Sequence, residues 1–488
     1  MRLIAITIKG LFFFFIAVFL VSCGSYNRKI QRYYTQMEAG RYAAASRVLD
    51  NTKFLRRPRN QFLYYAEKGR MAHLMGLYDS SNYLLNEADL IAEIRHKNTG
   101  DLVAGALLNP MMQTYRGEAF ERFMLHYYKA LNYFYQGDTE NALVEARRIS
   151  IATNEQMDLT KEKDNRFSRD AFSLNIQGMI YEAAGDINNA FIAYRNASET
   201  YLSHPDNIWY GVSIPSQLKK DLVRTAYQNG FAAIAERFQR QWNIDYPPAP
   251  DTGGGELVLF IESGRAPVKE EENLFFTLLK GGGGGFYFTD PAGNFSIPFD
   301  FNRYNTGNVD VGDLRTFRVA LPKYAMVSPY METAQVLANG KAYTPELVED
   351  INTIAIQTMK ENRIKDITAA LTRLAIKKIA EAGVRAGSKA VANNRKGGKE
   401  ETQEEKKHRE ENAEAVAAAV GLVFQAFSLA AEKADTRNWQ SLPAYIQYVR
   451  IPLQKGINKI SVQAPGARNA IRTLEVEGKG GLQFVNIH

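Results

Sequence analysis

Cysteine is almost absent from these 488 residues: there is one, Cys23. A lone thiol excludes an internal disulfide framework and any metal site built from thiolates. Histidine is nearly as scarce. The six, His73, His96, His126, His204, His408 and His488, form neither H-E-x-x-H nor another ligand spacing, so no metal or other cofactor is expected. The glycine run at 281–285 lacks the following Lys-Ser/Thr and the helix start that a phosphate loop requires, which leaves a flexible hairpin as its reading. No enzyme class is indicated. The body also lacks an apolar run of membrane length, since its longest uncharged stretch, 415–431, is alanine-rich and shorter than the roughly 20 residues a spanning helix needs.

What is present begins with an address. Arg2 and Lys9 flank the start of LFFFFIAVFLV, which is followed by Ser22 and Cys23, the pattern of a signal peptide over residues 1–22. Leu20-Val21-Ser22-Cys23 resembles the bacterial lipobox. That resemblance implies cleavage before Cys23 and lipidation there. With each buried methylene contributing roughly 0.8 kcal/mol, several chains anchor a protein almost permanently. By resemblance to sorted bacterial lipoproteins, Gly24 and Ser25, in place of an aspartate, imply the outer membrane, and the lack of an acidic cluster after Cys23 implies a body facing the periplasm. Without residues 1–22 the formal charge falls from +7 to +5, an excess that fits anionic lipid or murein, and no nucleic-acid partner is expected.

Helical repeats follow. The stretch LNIQGMIYEAAGDINNAFIAYRNASETYL places Leu174, Gly178, Tyr181, Gly185, Ala190, Tyr194 and Ala197 at the small and large positions of a tetratricopeptide unit of about 34 residues. HYYKALNYFYQGDTENALVEARRI repeats the register with Ala130, Tyr133, Gly137, Ala142 and Ala146. Small residues let paired helices approach, and Gly-Asp makes the turn. Fainter copies surround Gly40 and Gly76, so the turn glycines stand 36, 61 and 48 residues apart and the array is interrupted by insertions. A capping pair at 215–238 precedes YPPAPDTGGG, residues 246–255, the strongest linker signal.

Beyond it the period turns strand-like: ELVLFIESG, NLFFTLLK, NFSIPFDF, FRVALPKY, then AYIQYVRIPL, GINKISVQ, LEVEG and LQFVNIH. The expected class is α + β: a helical repeat domain at 23–245, a linker, and an antiparallel β domain at 256–488 carrying a helical hairpin inserted at about 344–434. The first helix of that hairpin is expected to start at Thr344-Pro345, with Leu347, Ile351, Ile354, Ile364, Ile367, Leu371 and Leu374 on its apolar face. Its alanine-rich second helix offers an alternative function, contact with the bilayer by an envelope-remodelling lipoprotein.

Three stretches carry a family likeness: YRGEAFERFMLHYYKALNYFYQGDTENALVEARR, GGGELVLFIESGRAPVKEE and KADTRNWQSLPAYIQYVRIPL. Together they resemble an uncharacterised family of Gram-negative outer-membrane lipoproteins that join tetratricopeptide-like repeats to a C-terminal β domain. The D-x-R-x-W-x-x-L-P element at 435–443 is the most specific part. The resemblance implies no catalytic activity. Members encoded beside lipoprotein activators of penicillin-binding proteins imply a link to wall synthesis.

The candidate binding residues are Glu118, Glu121 and Arg122 on one predicted helix, and Arg147 and Arg148 beside Glu145 on the next. They read either as a buried ion network or as the lining of a peptide groove. In DTRNWQSLP, Asp435 and Arg437 are expected to pair while Trp439 packs under the sheet. The expected function is a non-enzymatic, membrane-tethered adaptor or scaffold for an envelope protein partner, in wall synthesis or outer-membrane assembly.

Overall fold

The computed structural model describes residues 26–93, 110–160, 167–246, 253–300, 316–393, 403, 433–463 and 471–488, with positions 205, 283, 284, 329 and 332 left out. The signal segment, Cys23, linker positions 247–252 and the uncharged run at 415–431 lie outside the described residues.

The small-residue signature folds into helix pairs. Five follow one another: α1 (Tyr26–Glu38) with α2 (Tyr42–Asn51), α3 (Gln61–Leu74) with α4 (Tyr78–Glu93), α5 (Ala119–Tyr135) with α6 (Thr139–Thr160), α7 (Ala171–Ala183) with α8 (Ile187–Tyr201), and α9 (Ser216–Gln228) with α10 (Ala232–Trp242). Each turn uses a glycine, at Gly40, Gly76, Gly137, Gly185 and Gly230, with φ between +70° and +77°. Where aspartate follows, its carboxylate caps the next helix: Asp138 accepts from the Asn141 N–H at 3.0 Å and Asp186 from that of Asn189 at 3.1 Å.

Close packing within a pair depends on Gly178, where an added Cβ would meet the Tyr194 ring at 2.4 Å. That ring has little room to retreat, because its hydroxyl donates to Glu182 at 2.7 Å. Gly178→Val is therefore expected to destabilise the fold by about 1–3 kcal/mol through overpacking, read as a lower denaturant midpoint. An unchanged midpoint would show that the α7–α8 contact yields freely.

A two-stranded ribbon, β1 (Ile208–Trp209) and β2 (Val212–Ser213), joins α8 to α9, and three four-stranded sheets follow. The first has the order β10 (Glu346–Asp350), β11 (Tyr445–Gln454), β3 (Gly253–Ser263), β14 (Leu482–Ile487). The second runs β6 (Ser296–Phe299), β5 (Phe286–Thr289), β4 (Val268–Lys280), β7 (Thr316–Ala325), and the third β13 (Ile471–Gly478), β12 (Gly456–Gln463), β8 (Gln335–Ala338), β9 (Lys341–Tyr343). Strand β3 is buried on both faces. Val258 and Phe260 join the core of the helix pairs, whereas Leu257, Leu259 and Ile261 join Val336, Ile460 and Val462 of the third sheet. The helix α11 (Ile351–Asn393) covers the second sheet, setting Ile367, Leu371, Leu374 and Ile379 against Phe276, Phe288, Phe317 and Val319.

Three expectations change in detail. The first sheet is mixed rather than antiparallel, because β14 pairs with β3 in parallel, Phe484 opposite Val258. Glycines assigned to a linker belong to β3: a Cβ on Gly255 would fall 2.1 Å from the Gly481 carbonyl, so backbone contact, not flexibility, requires glycine there. Residues 346–350 are a strand, Glu346 opposite Tyr448, and the helix starts only at Ile351, behind an Asp350 that accepts from the Thr353 N–H at 2.9 Å. A partner strand outweighs the helix-start signal of Thr344-Pro345.

Candidate functional site

The apolar residues of the helix pairs and of the first sheet form one core, so the inner face of the repeat array is where a site would be built. That face carries carboxylates from successive pairs, each held by groups from the C-terminal half. Glu67 of α3 accepts the hydroxyls of Tyr33 and Tyr34 at 2.7 and 2.6 Å and the Gln440 N–H at 3.2 Å. Glu121 of α5 accepts the Trp439 N–H at 2.7 Å, the Tyr115 hydroxyl at 2.8 Å and the Glu118 N–H at 3.0 Å. Glu182 of α7 takes Arg450 at 2.6 Å and Arg224 at 2.7 Å, and Asp221 of α9 shares both arginines.

The same holds in reverse. Glu262 of β3 meets Arg70 of α3, the Tyr127 and Tyr128 hydroxyls at 3.0 and 3.3 Å, and the Asn486 amide at 3.0 Å. Arg437, essentially buried, holds Asp435 at 2.7 Å and donates to the Asn60 side chain at 2.8 Å and to the carbonyls of Arg59 and Gln113 at 3.0 Å. Trp439 is fully buried, its ring centroid 6.1 Å from that of Tyr128. Residues 435–441 therefore lie across α3 and α5 as a bound peptide would, offering main-chain N–H groups to carboxylates. The chain fills its own groove.

Burial sets the protonation of these groups. Burial, then the nearby Glu118, push the Glu121 carboxyl up to about 7 despite Lys269 and its N–H donors. Glu262 is equally buried, yet Arg70 holds it below the ordinary carboxylate range. Burial and then Arg70 push His73 down to about 4, leaving a neutral ring between Asn132 at 2.6 Å and Asn486 at 2.9 Å.

The sequence-named residues divide. Glu118 pairs with Lys269 and, with Glu121, belongs to the junction with the β half. Arg122 and Arg148 come together elsewhere, around a cleft of about 60 Å³ between α5 and α6, whose lining also includes Glu93, Ile151 and Gln156. Arg122 donates to Gln156 at 3.1 Å, and Arg148 to Asp89 at 2.7 Å and Glu93 at 3.1 Å. Behind them Lys129, fully buried, binds Asp89 at 2.8 Å and Glu145 at 3.0 Å. Arg147 is exposed and does not line this cleft.

Sequence reasoning missed Glu67, Arg70, Glu262 and Arg450. A signal existed for one: Glu262 shares the parity of Val258 and Phe260 in β3, so a carboxylate was due on a buried face. Among the described residues no three His, Cys, Asp or Glu side chains group as metal ligands, and no helix is long and apolar enough to cross a membrane.

Comparison with known proteins adds little to this geometry. No family model matches the chain, and no curated protein matches it significantly. Among solved structures it is similar to a Podosopora anserina protein described as a kinesin light chain with nearly identical TPR-like repeats. That likeness covers 44% of this chain and 91% of the other at 14% identity, with a TM-score of 0.29.

Proposed function

We propose that this protein is a non-enzymatic scaffold of the cell envelope, lipid-anchored at Cys23 in the outer membrane, facing the periplasm, and holding a protein partner. The observation that carries the reading is the occupied inner face. With residues 435–441 and the first sheet seated there, partner contact falls to the outside of the array, where Arg122, Arg148 and Glu93 surround a slot beside the half-exposed Ile151. Mixed charge around a small apolar recess suits one anchoring side chain of a protein ligand. The resemblance to envelope lipoproteins directs the search for that ligand to wall-synthesis and outer-membrane assembly proteins.

A photo-crosslinking residue at Ile151, compared with one at Tyr227 of α9, tests the site in cells. One discrete adduct from position 151, absent from 227 and lost when Arg148 is replaced by glutamate, is the expected result. Adducts indistinguishable between the two positions would remove the cleft. The tether is tested apart from this: fatty-acid label should enter the wild-type chain and not Cys23→Ser.

A further inference from the structure

The chain's charge is not spread over its surface. Between residues 26 and 60 stand nine cations and two acids, an excess equal to the +7 of all 488 residues. The rest of the chain sums to zero.

The structure sharpens this imbalance. Arg28, Lys29, Arg32, Arg41, Arg47, Lys53, Arg56 and Arg57 are all exposed. Both acids are engaged by cations from outside the segment: Asp50 by Lys68 at 2.6 Å and Glu38 by Arg265 at 2.9 Å. Between α1 and α2 lies an open groove of about 480 Å³, lined by Lys29, Arg32, Arg47, Gln36 and Asn51 and by no acidic residue. Charged and amide donors converging on one trough match the oxygens of a phosphate.

The position of this groove selects the source of the phosphate. Tyr26 is buried at the start of α1, its hydroxyl on the Asn438 carbonyl at 3.4 Å, and Asn27 donates to the Lys269 carbonyl at 3.0 Å. The first helix is thus fixed to the body. Only two residues, Gly24 and Ser25, separate Tyr26 from Cys23, a reach of about 10 Å. A lipid at Cys23 would hold the start of α1 within about one Debye length of the bilayer, near enough for the basic cluster behind it to be attracted to anionic lipid.

We propose that the α1–α2 groove and its surrounding cations dock on the headgroup phosphates of anionic bilayer lipid, fixing the orientation of the body on the membrane. The placement rests on tethering at Cys23, but the binding chemistry does not. The chain from Gly24 onward keeps every described residue. It is sedimented with phosphatidylcholine vesicles containing a third phosphatidylglycerol, and with phosphatidylcholine alone. Salt-sensitive binding to the anionic vesicles only is expected. Replacing Lys29, Arg32 and Arg47 with glutamine should weaken it about tenfold or more. Replacing Arg237 and Arg240 of α10, at the other end of the array, should leave it unchanged, with thermal unfolding confirming that both variants fold.

Equal binding to neutral vesicles, no binding, or full binding by the triple variant would overturn the proposal. Release by inorganic phosphate at fixed ionic strength would overturn it in favour of a soluble anion, and tighter binding to duplex DNA in favour of a nucleic acid. Fatty-acid labelling at Cys23 is read separately: vesicle binding without labelling keeps the docking surface and drops the tether, and labelling without vesicle binding does the reverse.

Discussion

Arg70→Met is expected to destabilise the protein by about 3–5 kcal/mol, because it strands Glu262 as an uncompensated charge between helices and sheet. Side-chain exposures of 4% for Arg70 and 1% for Glu262 leave water no route to replace the guanidinium. The three remaining partners of Glu262, Tyr127, Tyr128 and Asn486, are neutral donors that solvate a carboxylate only in part. Arg70→Met combined with Glu262→Gln should therefore cost less than Arg70→Met alone, since the amide oxygen still accepts from the tyrosines and no charge is buried. Urea denaturation of the two single variants and the double variant reads this directly. Additive losses would show that the two side chains are not coupled, contrary to the desolvation argument.

The contribution of Glu121 to stability should also fall as pH rises through the mildly acidic range. Glu121 keeps its proton in the folded protein up to about 7, whereas an unfolded glutamate releases it near 4.5. Between those values the folded state binds the extra proton, so the contribution is complete below the unfolded value and lost as pH climbs through the folded one. A second pair acts in the same sense. Asp170, capping α7, and Glu349 of β10 are both buried, and burial raises both, Glu349 further through Asp170. Opposing them, burial holds His73 down to about 4 and His488 down to about 3, so both remove stability as pH falls below the 6.5 of an unfolded histidine. Arginines hold Glu182, Glu262 and Asp435 below their ordinary values, which removes stability in stronger acid. Glu121→Gln should flatten the fall between about pH 4.5 and 7, a change on the order of 3 kcal/mol from the size of the shift. Thermal midpoints across that range, wild type against variant, decide it; parallel profiles would mean that Glu121 is ionised in the fold.

The repeat architecture was legible because it is local. A glycine at positive φ, an aspartate cap and a small residue opposite a ring are all encoded within one helix pair, as at Gly185, Asp186 and Gly178. The strands were legible from their period, and the pairing of Asp435 with Arg437 from their spacing. What composition hid is the union of the halves. Glu67, Arg70 and Arg450 sit in ordinary-looking sequence and read as solvent-facing, yet each is buried against a residue more than 180 positions away. Long-range pairing also decides β10, where Glu346-Leu347-Val348 would extend a helix were β11 not beside it. For the candidate site, the charges on α5 were visible, but not that Glu121 faces the chain's own tryptophan while Arg122 faces outward.

The strand β14 lies against β3 and sends Asn486 to Tyr135 at the end of α5, 2.6 Å between side chains. During synthesis the repeats emerge before this strand. Until residue 487 has been delivered, the array presents a half-lined trough with Glu262 short of one donor and Phe134 without the Phe484 ring that stacks on it at 4.2 Å. A nascent chain therefore passes through a stage with an exposed apolar seam. Holdase chaperones would meet the protein at that seam, and removal of β14 alone would leave it permanently open.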